Sequence, residues 1–347
     1  MPSTQAEIRL ANPVIVMEAL CEHMAEHEIA ITERDDIFVA KLNAAQATMR
    51  ATAEALSVHA EAETDARLEE IVSFLASHVL EFAHPEMPEI IWSGIAGGRL
   101  PADFREMTVL RTCKLMPHMR RITLTGNDLD RFANDGNLHV RLFFPPPGRA
   151  PVWPLRGPDG LIQPVAPEQK PQVRKYTLRR IDPVAREVDI DFVIHEVAGP
   201  GSDWANFAQA GDLVGMAGPG GRTAKTADWM LLAGDETALP AIARILEGLP
   251  ASTRGHVVIV SDESSGVTQL SKPTGVDVEW LLRSSVGQSL ASRVAEISVP
   301  DTGSRFCWAG AEFDDAQAIR RYWRDTCNLN KDEQLAVAYW RRGEASS

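Results

Sequence analysis

The sequence predicts a multidomain protein: an N-terminal α+β module, then an antiparallel β-barrel, then an α/β domain with a parallel sheet. Three observations predict it. A chain of 347 residues is too long for a single core. Between residues 107 and 217 strand-like runs follow one another without helical pattern between them. After Asp228 strand and helix patterns alternate.

Composition narrows the class further. With 44% apolar and 24% charged residues the chain reads as a globular protein, and no apolar run approaches the ~18 residues of a membrane span. The start, Met-Pro-Ser-Thr-Gln-Ala-Glu, lacks the basic and apolar regions of a signal peptide, so a cytoplasmic location is expected. Cys21, Cys113, Cys307 and Cys327 are scattered without a C-x-x-C pair, which speaks against a disulfide framework or zinc knuckle. The net charge of −13 is uneven. Residues 1–93 hold 17 acids against 5 Lys/Arg, whereas residues 94–225 hold 18 Lys/Arg against 14 acids, so the middle of the chain suits anionic ligands. No basic stripe interleaved with aromatics points to nucleic acid.

In the first module (1–93, a small acidic accessory domain) Asn12-Pro13 reads as N-cap and first helical residue, with Met17, Leu20, Cys21 and Met24 at helical spacing. Ile37–Leu42 and Leu56–Ala62 alternate as strands, and Leu68, Ile71, Val72, Leu75, Val79 and Phe82 mark a second helix. His23 and His27 share a helix face at i,i+4 with Cys21 nearby, but no third and fourth ligand is evident, so no metal is expected. Gly94-Ile-Ala-Gly-Gly98 has the composition of a linker.

The barrel (100–226) is read from Met107–Leu115, Met119–Thr125, Leu138–Phe144, Val173–Arg180, Val188–His195 and Asp212–Met216. Nine prolines between Pro145 and Gln172 exclude strand and helix there. That segment is either a disordered insertion or a lid over a ligand. The α/β domain (227–347) is read from strands at Trp229–Ala233, His256–Ser261, Val276–Trp280 and Arg305–Gly310, with helices after the first, third and fourth. Its ligand belongs outside the carboxyl ends of the strands.

Several short motifs carry chemistry. In Arg174-Lys-Tyr-Thr177 a strand places Arg174 and Tyr176 on one face and Thr177 on the other, so a guanidinium and a ring can grip one ligand. Asp191-Phe-Val193-Ile-His195 runs into Gly199-Pro200-Gly-Ser202-Asp-Trp204-Ala205, a glycine turn and helix start whose N–H groups can hold phosphate. Ala233-Gly234-Asp235-Glu236-Thr237-Ala238-Leu-Pro240 is a strand, tight turn and helix N-terminus suited to a nucleotide, although its two acids repel phosphate and speak against a pyrophosphate contact there.

In this order, with Gly218-Pro-Gly-Gly-Arg222, Trp308-Ala-Gly-Ala-Glu312 and Tyr339-Trp-Arg-Arg-Gly343, the motifs resemble those of the siderophore-interacting proteins of the ferredoxin–NADP reductase superfamily, over roughly residues 105–345. The resemblance implies an FAD-binding β-barrel followed by a nicotinamide-nucleotide-binding α/β domain, and transfer of electrons from NAD(P)H through FAD to a ferric siderophore. It implies FAD contacts at Arg174, Tyr176, Thr177, Asp191, Val193, His195, Gly199, Pro200, Ser202, Trp204 and Ala205, and nucleotide contacts at Gly234, Asp235, Glu236, Thr237 and Ala238. Thr177 would stand by the reactive flavin nitrogen, as the catalytic hydroxyl. Arg141, Arg222 and Arg341 or Arg342 would attract the anionic chelate, with Arg222 displaced from the family's usual place inside the turn. Asp262-Glu263 after the second α/β strand favour a ribose hydroxyl, hence NADH, over a 2′-phosphate. Ferredoxin is the alternative donor. A general NAD(P)H-dependent flavin or quinone reductase, and a non-catalytic siderophore-binding protein, are the competing functions.

Overall fold

The computed structural model describes residues 1–347 except 28, 43, 135, 195–198, 263–269, 284–288 and 344–347. The chain divides into two compact units, Met1–Phe104 with Val152–Lys170, and Arg105–Pro151 with Pro171–Ser347.

The first unit is an antiparallel sheet of β1 (Ser3–Arg9), β2 (Ala30–Arg34), β3 (Ile37–Leu42), β4 (Ala45–Ala51) and β5 (Ala55–Ala62), ordered β1-β5-β4-β3-β2. Alternation sets its inward face: Thr4, Ala6 and Ile8 of β1 are buried while their neighbours are exposed. Helices α1 (Pro13–Glu26) and α2 (Asp65–Ala83) pack on that face through Val16, Leu20 and Met24, and Ile71, Leu75 and Val79. Pro13 starts α1, but the Asn12 side chain makes no capping bond. Thr64 does cap α2, its hydroxyl accepting from the Arg67 amide at 3.3 Å.

The proline-rich segment belongs to this unit over Val152–Lys170, where it is packed on the module rather than disordered. The Trp92 amide donates to Pro158 O (3.1 Å), the Trp92 indole donates to Asp159 O (3.0 Å), and Arg156 Nε pairs with Glu69 of α2 (3.0 Å). Gly160 sits at φ +79°, and a Cβ there would lie 2.3 Å from Val72 Cγ1, so only glycine lets the strap close on α2. The glycine stretch 94–98 is likewise tied down. Ile95 packs on the core and the Gly98 amide donates to Arg156 O at 2.8 Å.

The second unit joins two sheets. β6 (Phe104–Met116), β7 (Met119–Thr125), β8 (His139–Phe144), β9 (Gln172–Thr177), β10 (Arg180–Asp182), β11 (Glu187–Val193) and β12 (Leu213–Gly220) form a seven-stranded sheet ordered β10-β11-β7-β6-β12-β8-β9. Its ends curl together, with the Tyr176 ring of β9 4.3 Å from Phe192 of β11, but among the described residues no ladder closes it. α3 (Pro200–Phe207) precedes β12.

A parallel five-stranded sheet follows, from β13 (Trp229–Gly234), β14 (Arg254–Ser261), β15 (Gly275–Leu282), β16 (Arg305–Glu312) and β17 (Gln334–Trp340), ordered β15-β14-β13-β16-β17. α4 (Leu239–Glu247), α5 (Leu290–Ala295) and α6 (Phe313–Asp325) cover it. The order reverses between β13 and β16, and the crevice at their carboxyl ends is where such sheets bind ligands. Met116, Met119 and Leu138 of the barrel side share a core with α4 and β13. Arg179 pairs with Glu247 (2.5 and 2.8 Å), and Arg244 donates to Leu178 O and Asn134 O (3.1 and 2.6 Å), which fixes the barrel against the parallel sheet.

Candidate active site

On the barrel, β9 and the first turn of α3 build one surface. Arg174 is half-buried, and one of its amines donates to Val173 O at 2.7 Å. Tyr176, two residues on, packs its ring on Phe192 and Phe144, and Trp204 of α3 completes the cluster 5.2 Å from Phe144. Burial pushes the Tyr176 phenol above its ordinary range, with Arg174 pulling the other way. A Cβ on Gly201 would fall 2.1 Å from Tyr176 Oη, so glycine is what lets the helix sit against the phenol. Gly199 caps α3 with Pro200 at its first position, and a Cβ on Gly199 would meet nothing within 4 Å. The described residues thus leave open space beside Gly199, at the helix end whose N–H groups and dipole favour an anion. Ser202 and Ala205 are buried on the inner side of α3.

Two arginines that sequence reasoning missed hold this surface. Arg120 of β7 donates to the carbonyls of Ala205, Asn206 and Ala208 (2.8, 2.5 and 3.3 Å), where a cation meets the negative end of the α3 dipole. Arg121 grips both oxygens of buried Asp191, at 2.6 and 2.8 Å. The Asp191 carboxylate is therefore engaged across the β7–β11 ladder. Val193 packs toward the core shared with the parallel sheet. His195 lies outside the described residues.

The other face of β9 carries Thr177, which is buried and stands opposite His139 of β8. Its hydroxyl lies near the phenol of Tyr339 on β17, whose pKa burial raises and the Thr177 hydroxyl draws back. The barrel strand and the last strand of the parallel sheet thus approach each other at Thr177. On the same face Arg141 pairs in register with Lys175, beside His139. Burial lowers the His139 pKa, and the charges of Lys175 and Arg141 lower it further. Lys175 and His139 carried no motif signal; only strand register reveals them.

The other candidate cations have separate settings. Arg222 is exposed and electrostatically close to Asp332, which Lys225 pairs at 2.6 Å. Arg341 stands 4.2 Å over the Phe313 ring, and the Arg342 amide donates to Glu312 at 3.1 Å.

At the crevice of the parallel sheet Gly234 ends β13 and Ala238 precedes α4. The acids of this loop are matched internally. Asp235 accepts from the Thr237 amide (2.9 Å), the Thr237 hydroxyl (2.5 Å) and the Trp340 indole (2.7 Å). Glu236 accepts from the Asp262 amide (2.7 Å) and from Arg283 (2.5 Å), and burial raises its pKa. Arg283 also grips Asp262 at 2.6 Å. Glu263 lies outside the described residues.

A cation, an aromatic cluster and an open helix N-terminus on one sheet fit the pyrophosphate and ring system of FAD. Residues 108–223 match the siderophore-interacting FAD-binding domain, and residues 227–343 match the siderophore-interacting protein domain. The ferric vibriobactin reductase ViuB of Vibrio cholerae is 34% identical over 69% of this chain and 90% of its own length. The chain belongs to the siderophore-interacting protein family.

Other relatives agree. The NADPH-dependent ferric-chelate reductase of Escherichia coli is 31% identical over 68% of this chain and 92% of its own. The siderophore-interacting protein SipS of Aeromonas hydrophila superposes with a TM-score of 0.61 at 33% identity, over 70% of this chain and 93% of that one. This siderophore-interacting protein carries an additional N-terminal region, residues 5–93, which matches a family described as an uncharacterized protein conserved in bacteria. No helix among the described residues is long and apolar enough to cross a membrane.

Proposed function

We propose that this siderophore-interacting protein is a ferric-siderophore reductase, drawing electrons from NAD(P)H through FAD. The nearness of Thr177 to Tyr339 supports the reading, because it brings the strand of the flavin motif toward the sheet of the nucleotide crevice. FAD supplies the conversion between hydride acceptance and single-electron donation. This chain's residues do the rest. Arg174 and the α3 amides hold pyrophosphate, Tyr176 backs the ring system, and Thr177 presents a positioned hydroxyl near the reacting nitrogen. The loop from Gly234 to Ala238 seats the nucleotide. One NAD(P)H carries the electrons for two ferric ions, and the softer Fe(II) is held less well by hard siderophore oxygens.

Arg141 and Lys175, adjacent in register on the Thr177 face, are the favoured attractors of an anionic chelate. NADH is the favoured donor, since Glu236 and Asp262 already match the charge of Arg283 and a 2′-phosphate would have to compete with both. A cytoplasmic location accords with that donor, and ferredoxin remains the alternative one.

Anaerobic addition of NADH to the yellow protein, followed by a ferric chelate, tests the reaction: bleaching and then recovery of colour are expected. Reversing charge at Arg141 and Lys175 together should raise KM for anionic ferric chelates while leaving flavin content and the turnover of a neutral quinone unchanged. Equal turnover of chelate and quinone with no charge dependence would instead establish a general quinone reductase.

A further inference from the structure

The fold brings a third imidazole to the two that share a face of α1. The His23 ring centroid is 4.6 Å from His27 and 4.4 Å from His78 of α2. Phe74 and Phe82 of α2 wall the group, 6.2 and 5.8 Å from His23. His23 and His78 are half-buried and His27 is exposed, so one side of the cluster reaches solvent.

One of the rings has its far nitrogen engaged. His78 Nδ1 lies 2.8 Å from Phe74 O. A carbonyl only accepts, so Nδ1 carries the proton and the neutral ring keeps its lone pair on Nε2. His23 Nδ1 lies 3.7 Å from the Glu26 carboxylate, beyond hydrogen-bond distance, and the carboxylate adds negative charge beside the cluster. A backbone carbonyl or carboxylate behind the distal ring nitrogen is the outer-shell pattern of metal-bound histidine. The surrounding module is acidic, which concentrates cations.

We propose that His23, His27 and His78 bind a divalent first-row transition ion. Imidazole nitrogens suit that class, and iron(II) is the member the proposed reductase reaction would produce, a link that rests on that reading. Among the described residues no three such side chains already stand in ligating geometry. The rings lie against one another and would turn on their side-chain torsions, bringing Nε2 atoms to the roughly 3–3.5 Å spacing set by ~2.1 Å metal–nitrogen bonds.

The test is titration of untagged, chelator-treated full-length protein with Co2+ and Zn2+, and with Fe2+ under anaerobic conditions. One Co2+ per chain is expected, with visible bands of imidazole ligation, displaced by Zn2+ and, in excess, by Fe2+, which binds nitrogen ligands less tightly than Co2+. His27→Ala and His78→Ala should each weaken binding at least tenfold. His27 is exposed, so its variant isolates ligation from folding. No saturable Co2+ or Zn2+ uptake by about 1 mM, or wild-type affinity in both variants, overturns the site, and failure of excess Fe2+ to compete overturns the assignment to iron. Reductase assays of the same samples keep the two readings apart, since His27→Ala should reduce ferric chelates at the wild-type rate. A protein that binds Co2+ but reduces no chelate would count against the reductase and leave the site standing.

Discussion

Individual side chains divide into those that hold ligands and those that hold the holders. Arg174 is half-buried beside Tyr176, so Arg174→Ala should leave cofactor phosphate poorly paired, at a cost of about 2–5 kcal/mol, and the protein should purify largely colourless. The ratio of flavin to protein absorbance measures this. Thr177→Ala should act differently, retaining flavin while slowing its reduction by NADH, because it removes the hydroxyl that stands near the Tyr339 phenol between the two sheets. Stopped-flow reduction separates the two, and normal flavin content with normal reduction in both variants would remove the motif from the site. Asp262→Ser should relieve Arg283 of one of its two carboxylates and shift kcat/KM toward NADPH, with Glu236 limiting the shift to roughly tenfold. An unchanged coenzyme ratio would place the 2′-position of the nucleotide elsewhere.

At the scale of elements, α3 shows how a short helix becomes part of a site. Its own eight residues would not hold it in water. Arg120 fixes its carboxyl end, Trp204 and Ala205 anchor its inner face, and Gly201 lets its first turn reach Tyr176. Gly201→Ala should force the phenol aside at about 1–3 kcal/mol, lowering both melting temperature and flavin retention. A variant with full flavin content would show that α3 and Tyr176 do not jointly form the cofactor surface. Elements of this kind are partly legible in sequence: the glycine turn and helix start are visible. Arg120 is not, because its partners lie far along the chain and carbonyls leave no sequence signature.

For the whole molecule, the decisive fact is that the barrel's long proline-rich connection leaves it to close over the N-terminal module. Removing residues 1–93 would strip Arg156 of Glu69, Gly160 of Val72 and Leu161 of its apolar bed. The shortened chain should keep its flavin, because none of the residues proposed to hold it lies in the first unit, but it should be cut by protease within 152–170 far faster than the full chain. Limited proteolysis with visible absorbance of the fragments measures both. A folded, colourless truncation would show that the module is needed for flavin binding.

By itself the sequence determined the architecture, from α+β module to antiparallel sheet to parallel sheet, because these rest on local periodicity and turn chemistry that neighbouring residues write directly. It also marked the segments from Arg174 to Thr177 and from Gly234 to Ala238 as candidate ligand contacts, because each lies within a single strand-to-turn unit. What only tertiary structure decided is pairing between distant segments: Thr177 with Tyr339, Arg121 with Asp191, Lys175 beside Arg141, the internal matching of Asp235 and Glu236, and His78 beside His23. The proline-rich segment shows the same limit. Its composition ruled out helix and strand, but whether it stayed loose, covered a ligand or strapped a module depended on the groove of α2 and Trp92 that receives it. A side chain's chemistry is local, whereas its partner is chosen by how sheets and helices stack, and that stacking is settled by burial summed over the whole core.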